Sequence, residues 1–429
     1  MSVHRVCRSA IAAAFALSLI VLLPGVSAAQ GTAKEKATSK AKSTPRGAPA
    51  DAPGVRDYTS KNFVLHTDLS QDESRELLTR LETMIVLVAR YFGKPNSQII
   101  EMNVVKDQNN WPAGSIDPDA INSIETGGGI TLSVSSSVRN AQGQRQVVAA
   151  KSVVWAVADR GTPQHEAVHA YCHQSFGRTG PTWYSEGMAE CGQYWREKED
   201  SVQIHDGVLQ YLKSQEPKEL TEIVAPGQST GDSWQAYSWR WALCHLLAAN
   251  PNYSARFKPL GLALLNDQPA SFEEVYGPMA KEITFEYKFF LKHIDQGYRA
   301  DLTSWDWKTK FNRLKGTGSA QAKIEAMRGW QASRVTVKAG DKLSYSTTGE
   351  WSITKTGGKK LTADGDDDGQ GKLVGILFED YELSEPFDLG ASGEWEAPSD
   401  GNLFLRCNDA WNSLADNSGT IAVKIKRAN

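Results

Sequence analysis

His165-Glu166-Ala167-Val168-His169 sets two imidazoles four residues apart with a carboxylate between them. On a helix, side chains four apart share a face, about 6 Å from one another. Two rings so placed can hold one zinc ion, and Glu166 then faces a metal-bound water. Zinc lowers the pKa of that water to about 7, within reach of a carboxylate base. The pattern therefore encodes hydrolytic chemistry as well as a metal site. Thr162 reads as the helix cap and Pro163 as the first helical residue. The chain has 8 His in 429 residues, so a chance H-E-x-x-H is a poor account. The plain alternative is an amphipathic helix with solvated His and Glu.

A zinc hydrolase takes three protein ligands and keeps a fourth position for water. His173 lies eight residues after His165, about 12 Å along a helix, too far for the same ion. It reads as a partly exposed helix residue. Trp183-Tyr184-Ser185-Glu186-Gly187-Met188-Ala189-Glu190 offers a better partner. Gly177 to Pro181 breaks the first helix, and Thr182 can cap a second. Glu186 and Glu190 share a face. Glu186 can complete a His-His-Glu set, and Glu190 can accept the free ring N–H of a ligating His. Gly187 costs about 1 kcal/mol inside a helix, which suggests close approach of the two helices. A solvated helix face is the alternative for Glu190. Cys172 and Cys191 flank the two motifs. A bridge between them and a pair of buried free thiols are both open.

H-E-x-x-H followed by W-x-x-E-G-x-A-E resembles the gluzincin metallopeptidases, and within them the peptidase-MA-like bacterial families. The resemblance runs from about Tyr58 to Arg299 and is sharp only in the two motifs. It implies zinc on His165, His169 and Glu186, with Glu166 as general base and Glu190 behind the ligands. Ser185 departs from the Asn those enzymes carry before the third ligand. The resemblance also implies a Tyr or His that stabilises the oxyanion, and Tyr237 is the candidate, with a buried core aromatic as its alternative. Trp234, Trp239 and Trp241 around it read as core. A strand at Ile130 to Val134 could bind substrate backbone by strand addition, or be an ordinary edge strand.

A second cluster lies far along the chain. Asn408-Asp409-Ala410-Trp411-Asn412-Ser413-Leu414-Ala415-Asp416-Asn417 is dense in oxygen side chains, and hard oxygen donors in a loop suit calcium. With Gly401-Asn402-Leu403 and Thr420-Ile421-Ala422-Val423, it resembles the calcium-dependent, galactose-binding bacterial lectin family. That resemblance implies calcium on Asp409, Ser413, Asp416 and Asn417, with a backbone carbonyl from near Thr354. The sugar-contacting loop of that family is shortened here to Asp366-Asp367-Asp368-Gly369-Gln370. A polar turn that keeps the fold without metal or sugar is the alternative.

The rest of the sequence frames these sites. Arg5 and Arg8 precede a 14-residue apolar run from Ala10 to Leu23, too short for the ~20 residues of a membrane span. Val26-Ser27-Ala28-Ala29 then reads as a cleavage site. The expected organisation is a signal peptide at 1–29, a disordered linker at 30–56, a metallopeptidase-like α+β domain at 57–300, a helical connector at 301–328 and an all-β sandwich at 329–429. A signal peptide implies export, to the periplasm or beyond the cell, with no membrane span after its removal. A net charge of −3 gives no case for nucleic acid. Expected partners are peptides or proteins, with glycans or glycoproteins through the sandwich. The rival expectation is a non-catalytic exported glycan-binding protein with a structural zinc.

Overall fold

The computed structural model describes residues 8–9, 54–139, 145–197, 204–226, 233–354 and 358–428. The expected signal segment and linker lie outside them, apart from 8–9 and 54–56. Among the described residues no helix is long and apolar enough to cross a membrane.

The first half is a mixed sheet with helices packed on it. Its strands are β1 (Arg8–Ser9), β2 (Arg56–Thr59), β3 (Phe63–Thr67), β4 (Ile100–Val105), β5 (Gly129–Arg139) and β6 (Arg145–Val157), in the order β1-β5-β6-β4-β3-β2. β3, β4 and β6 run parallel, while β2 and β5 are antiparallel to their neighbours. Parallel neighbours need a crossover, and α1 (Gln71–Phe92) supplies it between β3 and β4. Ser70 and Glu73 start this helix with a capping box, each side chain bonding the other's backbone. Leu77, Leu81, Met84, Ile85, Val88 and Phe92 form its buried stripe. α2 (Pro118–Glu125) precedes β5.

Two consecutive helices, α3 (Thr162–Phe176) and α4 (Thr182–Gln193), follow β6 and are buried all round. The helical region continues as α5 (Asp206–Ser214), α6 (Leu220–Ile223), α7 (Trp234–Ala249), α8 (Ser254–Leu265), α9 (Phe272–Tyr276) and α10 (Ala280–His293). Trp239 and Trp241 are buried in it as expected, but Trp234 is 38% exposed.

The second half is all β. One sheet orders β13 (Ser392–Glu396), β9 (Lys342–Ser352), β15 (Ser418–Arg427) and β7 (Ser319–Glu325). The other orders β11 (Glu382–Leu383), β10 (Leu373–Glu379), β14 (Gly401–Cys407) and β8 (Gln331–Val337), with β12 (Phe387–Asp388) also on β10. Ile324, Val335, Trp351, Leu405, Ile421 and Val423 fill the space between them. The helical connector expected at 301–328 is not found: its end is β7, the edge strand of a sheet. The alternation in Ser319–Glu325 is exposed-to-buried with period two, which a strand requires.

The two halves share one core. Trp305 and Phe404 pack at 4.7 Å between ring centroids, and Phe285 and Trp305 at 4.9 Å. Beneath them Glu286 accepts from Asn250 Nδ2 at 2.5 Å, Tyr253 OH at 2.7 Å and Trp307 Nε1 at 2.7 Å. This buried carboxylate is satisfied from three directions, which fixes the 305–307 segment to α10.

Candidate functional site

α3 and α4 are brought together by small residues. A Cβ on Gly192 would lie 2.4 Å from Val168, so only glycine lets α4 cross α3 there. Gly187, expected to serve that contact, instead faces α7: a Cβ there would meet Cys244 Sγ at 2.4 Å and the Arg240 carbonyl at 2.8 Å. The start of α3 also differs from expectation. Thr162 is its first helical residue, and the cap comes from Asp159, whose carboxylate accepts from Gly161 N at 2.7 Å and Thr162 N at 2.6 Å. A carboxylate there also suits the positive end of the helix.

His165, His169 and Glu186 converge as a group able to hold a metal ion, and each is 0–1% exposed. The two Nε2 atoms face each other at 3.0 Å. Nitrogens held tetrahedrally on zinc lie about 3.3 Å apart, given bonds of about 2.0–2.1 Å. Glu186 Oε2 lies 3.5 Å from both Nε2 atoms. Neither Glu186 oxygen accepts a well-formed hydrogen bond. A carboxylate buried this way is costly, and a cation among the three side chains removes that cost. The donor set therefore fits a metal ion.

The outer ring nitrogens also face polar side chains. Glu190 Oε1 lies 3.4 Å from His165 Nδ1, without a well-formed hydrogen bond between them. Ser185 Oγ lies 3.3 Å from His169 Nδ1. Ser185 thus takes up an orienting position that the sequence left without a role. Burial pushes His165 down to about 4, against the Glu186 carboxylate. The ring is then neutral, the form that binds metal. Burial also acts to lower His169, but the Glu186 carboxylate, by charge and by its contact with the ring, together with the Glu166 charge, outweighs it and the shift is upward. Burial would raise Glu186; the two imidazoles hold it below the usual carboxylate range instead. Glu190 is raised well above that range, by burial and then by Glu186.

Glu166 is buried beside β5. Its Oε2 accepts from Thr131 Oγ1 at 2.7 Å. A Cβ on Gly129 would lie 2.8 Å from Glu166 Cγ, so the strand passes the carboxylate only because residue 129 is glycine. Sequence reasoning missed both residues; the glycine run ahead of an alternating strand was the available signal. β5 is an edge strand but for β1, which pairs with Gly129 and Ile130. Tyr237 is buried on α7, the helix packed against α4, with the Arg240 guanidinium 5.3 Å from its ring centre.

Two further expectations change. His173 is 4% exposed and belongs to the interior. Cys172 and Cys191 are free buried thiols and form no bridge. Burial alone pushes the Cys172 thiol up to about 12.

The C-terminal loop carries several buried side-chain oxygens. Asp409 Oδ2, Asp416 Oδ1 and Asn417 Oδ1 are buried without a hydrogen-bond partner. Burial raises Asp409, and the Asp416 charge adds to that shift. Ser413 Oγ donates to Asn412 Oδ1 at 3.2 Å. The loop does not stand open, however. Trp411 packs against Phe289, His293 and Tyr298, and Arg406 lies 3.8 Å over its ring. Asn412 abuts Gly297, where a Cβ would come within 2.6 Å. This side of the loop is a contact between the two halves.

No protein-family model and no curated protein matches the chain. Among solved structures, one similar region is the EclA N-terminal domain, a PllA-like lectin, at 18% identity and TM-score 0.21, covering 25% of this chain and 96% of that one. Another is Pseudomonas aeruginosa IMPa, solved with an O-glycopeptide, at 13% identity and TM-score 0.17, covering 54% of this chain and 25% of that one. A third is Aeromonas hydrophila PliG, a periplasmic inhibitor of g-type lysozyme, at 12% identity and TM-score 0.19, covering 29% of this chain and 97% of that one.

Proposed function

We propose that the chain is an exported zinc metallopeptidase of the gluzincin type. The observation that carries this is the buried His165–His169–Glu186 group with a general-base candidate, Glu166, in the next position along α3. When bound, zinc supplies an acidified water and a positive charge beside the scissile carbonyl. His165, His169 and Glu186 hold the ion, with Glu190 and Ser185 keeping the rings turned. Glu166 accepts a proton from the attacking water and returns it to the leaving amine nitrogen. Thr131 restrains one Glu166 oxygen while it does so. Tyr237 is the proposed donor to the developing oxyanion. Peptides or proteins, glycoproteins among them, are the substrates. In the second half, Asp409, Ser413, Asp416 and Asn417 are proposed to hold calcium beside the contact between domains.

A Glu166→Gln variant tests the first reading. It should keep its zinc and lose about 10²–10⁴-fold in peptide cleavage. Unchanged turnover on casein or a peptide library would sink the mechanism. Complete burial of the metal group favours a second reading, a structural zinc in a glycan-binding protein. Zinc-loaded protein that cleaves nothing and binds glycans would select it.

A further inference from the structure

A groove of about 1030 Å³ runs between the 304–309 segment and the β7, β9 and β15 face of the second half. None of the residues assigned above lines it. Four basic side chains do, Lys308, Lys323, Arg328 and Arg334, against two acidic ones, Asp306 and Glu325. Asp306 is already engaged: its Oδ1 accepts from Lys308 N at 3.1 Å and Thr309 N at 3.0 Å. The groove therefore favours an anion.

Arg334 is its most informative residue. Its φ is +70°, a left-handed conformation rare for a side chain of that size. The strain sits in β8 where its register with β14 breaks, between the pairs Asn402↔Thr336 and Phe404↔Ala332. Irregularities of this kind re-aim side chains and recur beside functional sites. The strain has a local return, since Asn312 N bonds the Arg334 carbonyl at 3.0 Å and docks the incoming segment. That return needs only backbone, and glycine would provide it without strain. An arginine at this position costs stability and puts an exposed guanidinium in the groove. Strain retained against a cheaper alternative points to use of the side chain.

The floor indicates what kind of anion fits. Thr348 and Thr420 offer hydroxyls from the sheet face, and Asn252 and Gln321 offer amides nearby. These are neutral hydrogen-bonding groups suited to sugar hydroxyls. A peptide strand would need a free sheet edge. The Gln331 amide already takes the β7 edge at Glu325, accepting from its N–H and donating to its carbonyl, each at 2.9 Å. We propose that this groove binds an acidic glycan, a hydroxyl-rich chain carrying carboxylate or sulfate groups, with Arg334 as its principal anion contact.

The test uses the full chain and titration calorimetry with four probes: an oligogalacturonate, a heparin octasaccharide, a dextran oligomer and polyglutamate. The first or second should bind, more weakly as salt rises, and dextran should not. Binding of the oligogalacturonate alone assigns a carboxylate-bearing ligand, and of heparin alone a sulfated one. Arg334→Gly should weaken that binding about tenfold or more, as loss of a charge-assisted contact does, and leave the melting temperature unchanged or higher. That opposition separates a ligand contact from a structural role. Wild-type binding by Arg334→Gly, no binding of either acidic glycan, or polyglutamate binding as tightly as the glycans would each overturn the proposal.

Discussion

Glu186 is fully buried with its nearest ring nitrogens at 3.5 Å, too long to satisfy it. A divalent ion among the three ligands resolves this, so metal binding and folding are linked. Removing zinc should lower the melting temperature, and returning it should restore the original value. In the proposed site the ring partners would set how tightly the ion is held. Ser185→Ala and Glu190→Gln should each weaken zinc about 10–100-fold, read by competition with a chromogenic chelator. Unchanged affinity in both would remove their orienting role. Proton release gives an independent check. His165, pushed down to about 4, binds without losing a proton. His169 is raised, so near pH 6 it is protonated without metal and must release that proton on binding. An indicator dye should register acidification when zinc is added at that pH; none would contradict a protonated His169.

The helices that carry these residues were partly legible. Capping at Ser70 and the spacing of Leu77 to Phe92 give α1 directly, because both signals are local. The motif helices were legible by their residues but not by their packing. α3 and α4 are buried on every side, so no apolar stripe tells which face meets which neighbour. That is why Gly187 was assigned to α3 when it meets α7, and why Gly192 went unnoticed. β6 was missed because its apolar residues come as two unbroken runs, 147–150 and 153–156, with no alternation, and only the second run is largely covered. Gly192→Ala forces a methyl against Val168 and should cost about 1–3 kcal/mol by chemical denaturation. A cost near zero would show that the crossing of α3 and α4 is looser than described.

At the scale of the molecule, the second half is bound to the first by a common aromatic core. The sequence announced two textures, helical and β, but interdomain contact leaves no periodicity to read. Trp411 was legible only as part of an oxygen-rich loop, yet it packs among Phe289, His293 and Tyr298. Calcium in that loop would therefore stabilise the domain contact. Terbium, as a calcium substitute, should luminesce on tryptophan excitation, and Trp411→Phe should reduce that signal sharply. Terbium luminescence that Asp409→Asn and Asp416→Asn leave intact would place the ion elsewhere. Glu286→Gln, which puts an amide donor among donors, should cost about 1–3 kcal/mol of stability by chemical denaturation.

The central claim is a three-ligand zinc with room for water beside Glu166. Anomalous diffraction at the zinc edge from zinc-loaded crystals tests it most directly. One peak is expected, about 2.0–2.2 Å from His165 Nε2, His169 Nε2 and a Glu186 oxygen, with a solvent oxygen as the fourth ligand. A peak with a fourth protein ligand, or no peak among these residues, would contradict it.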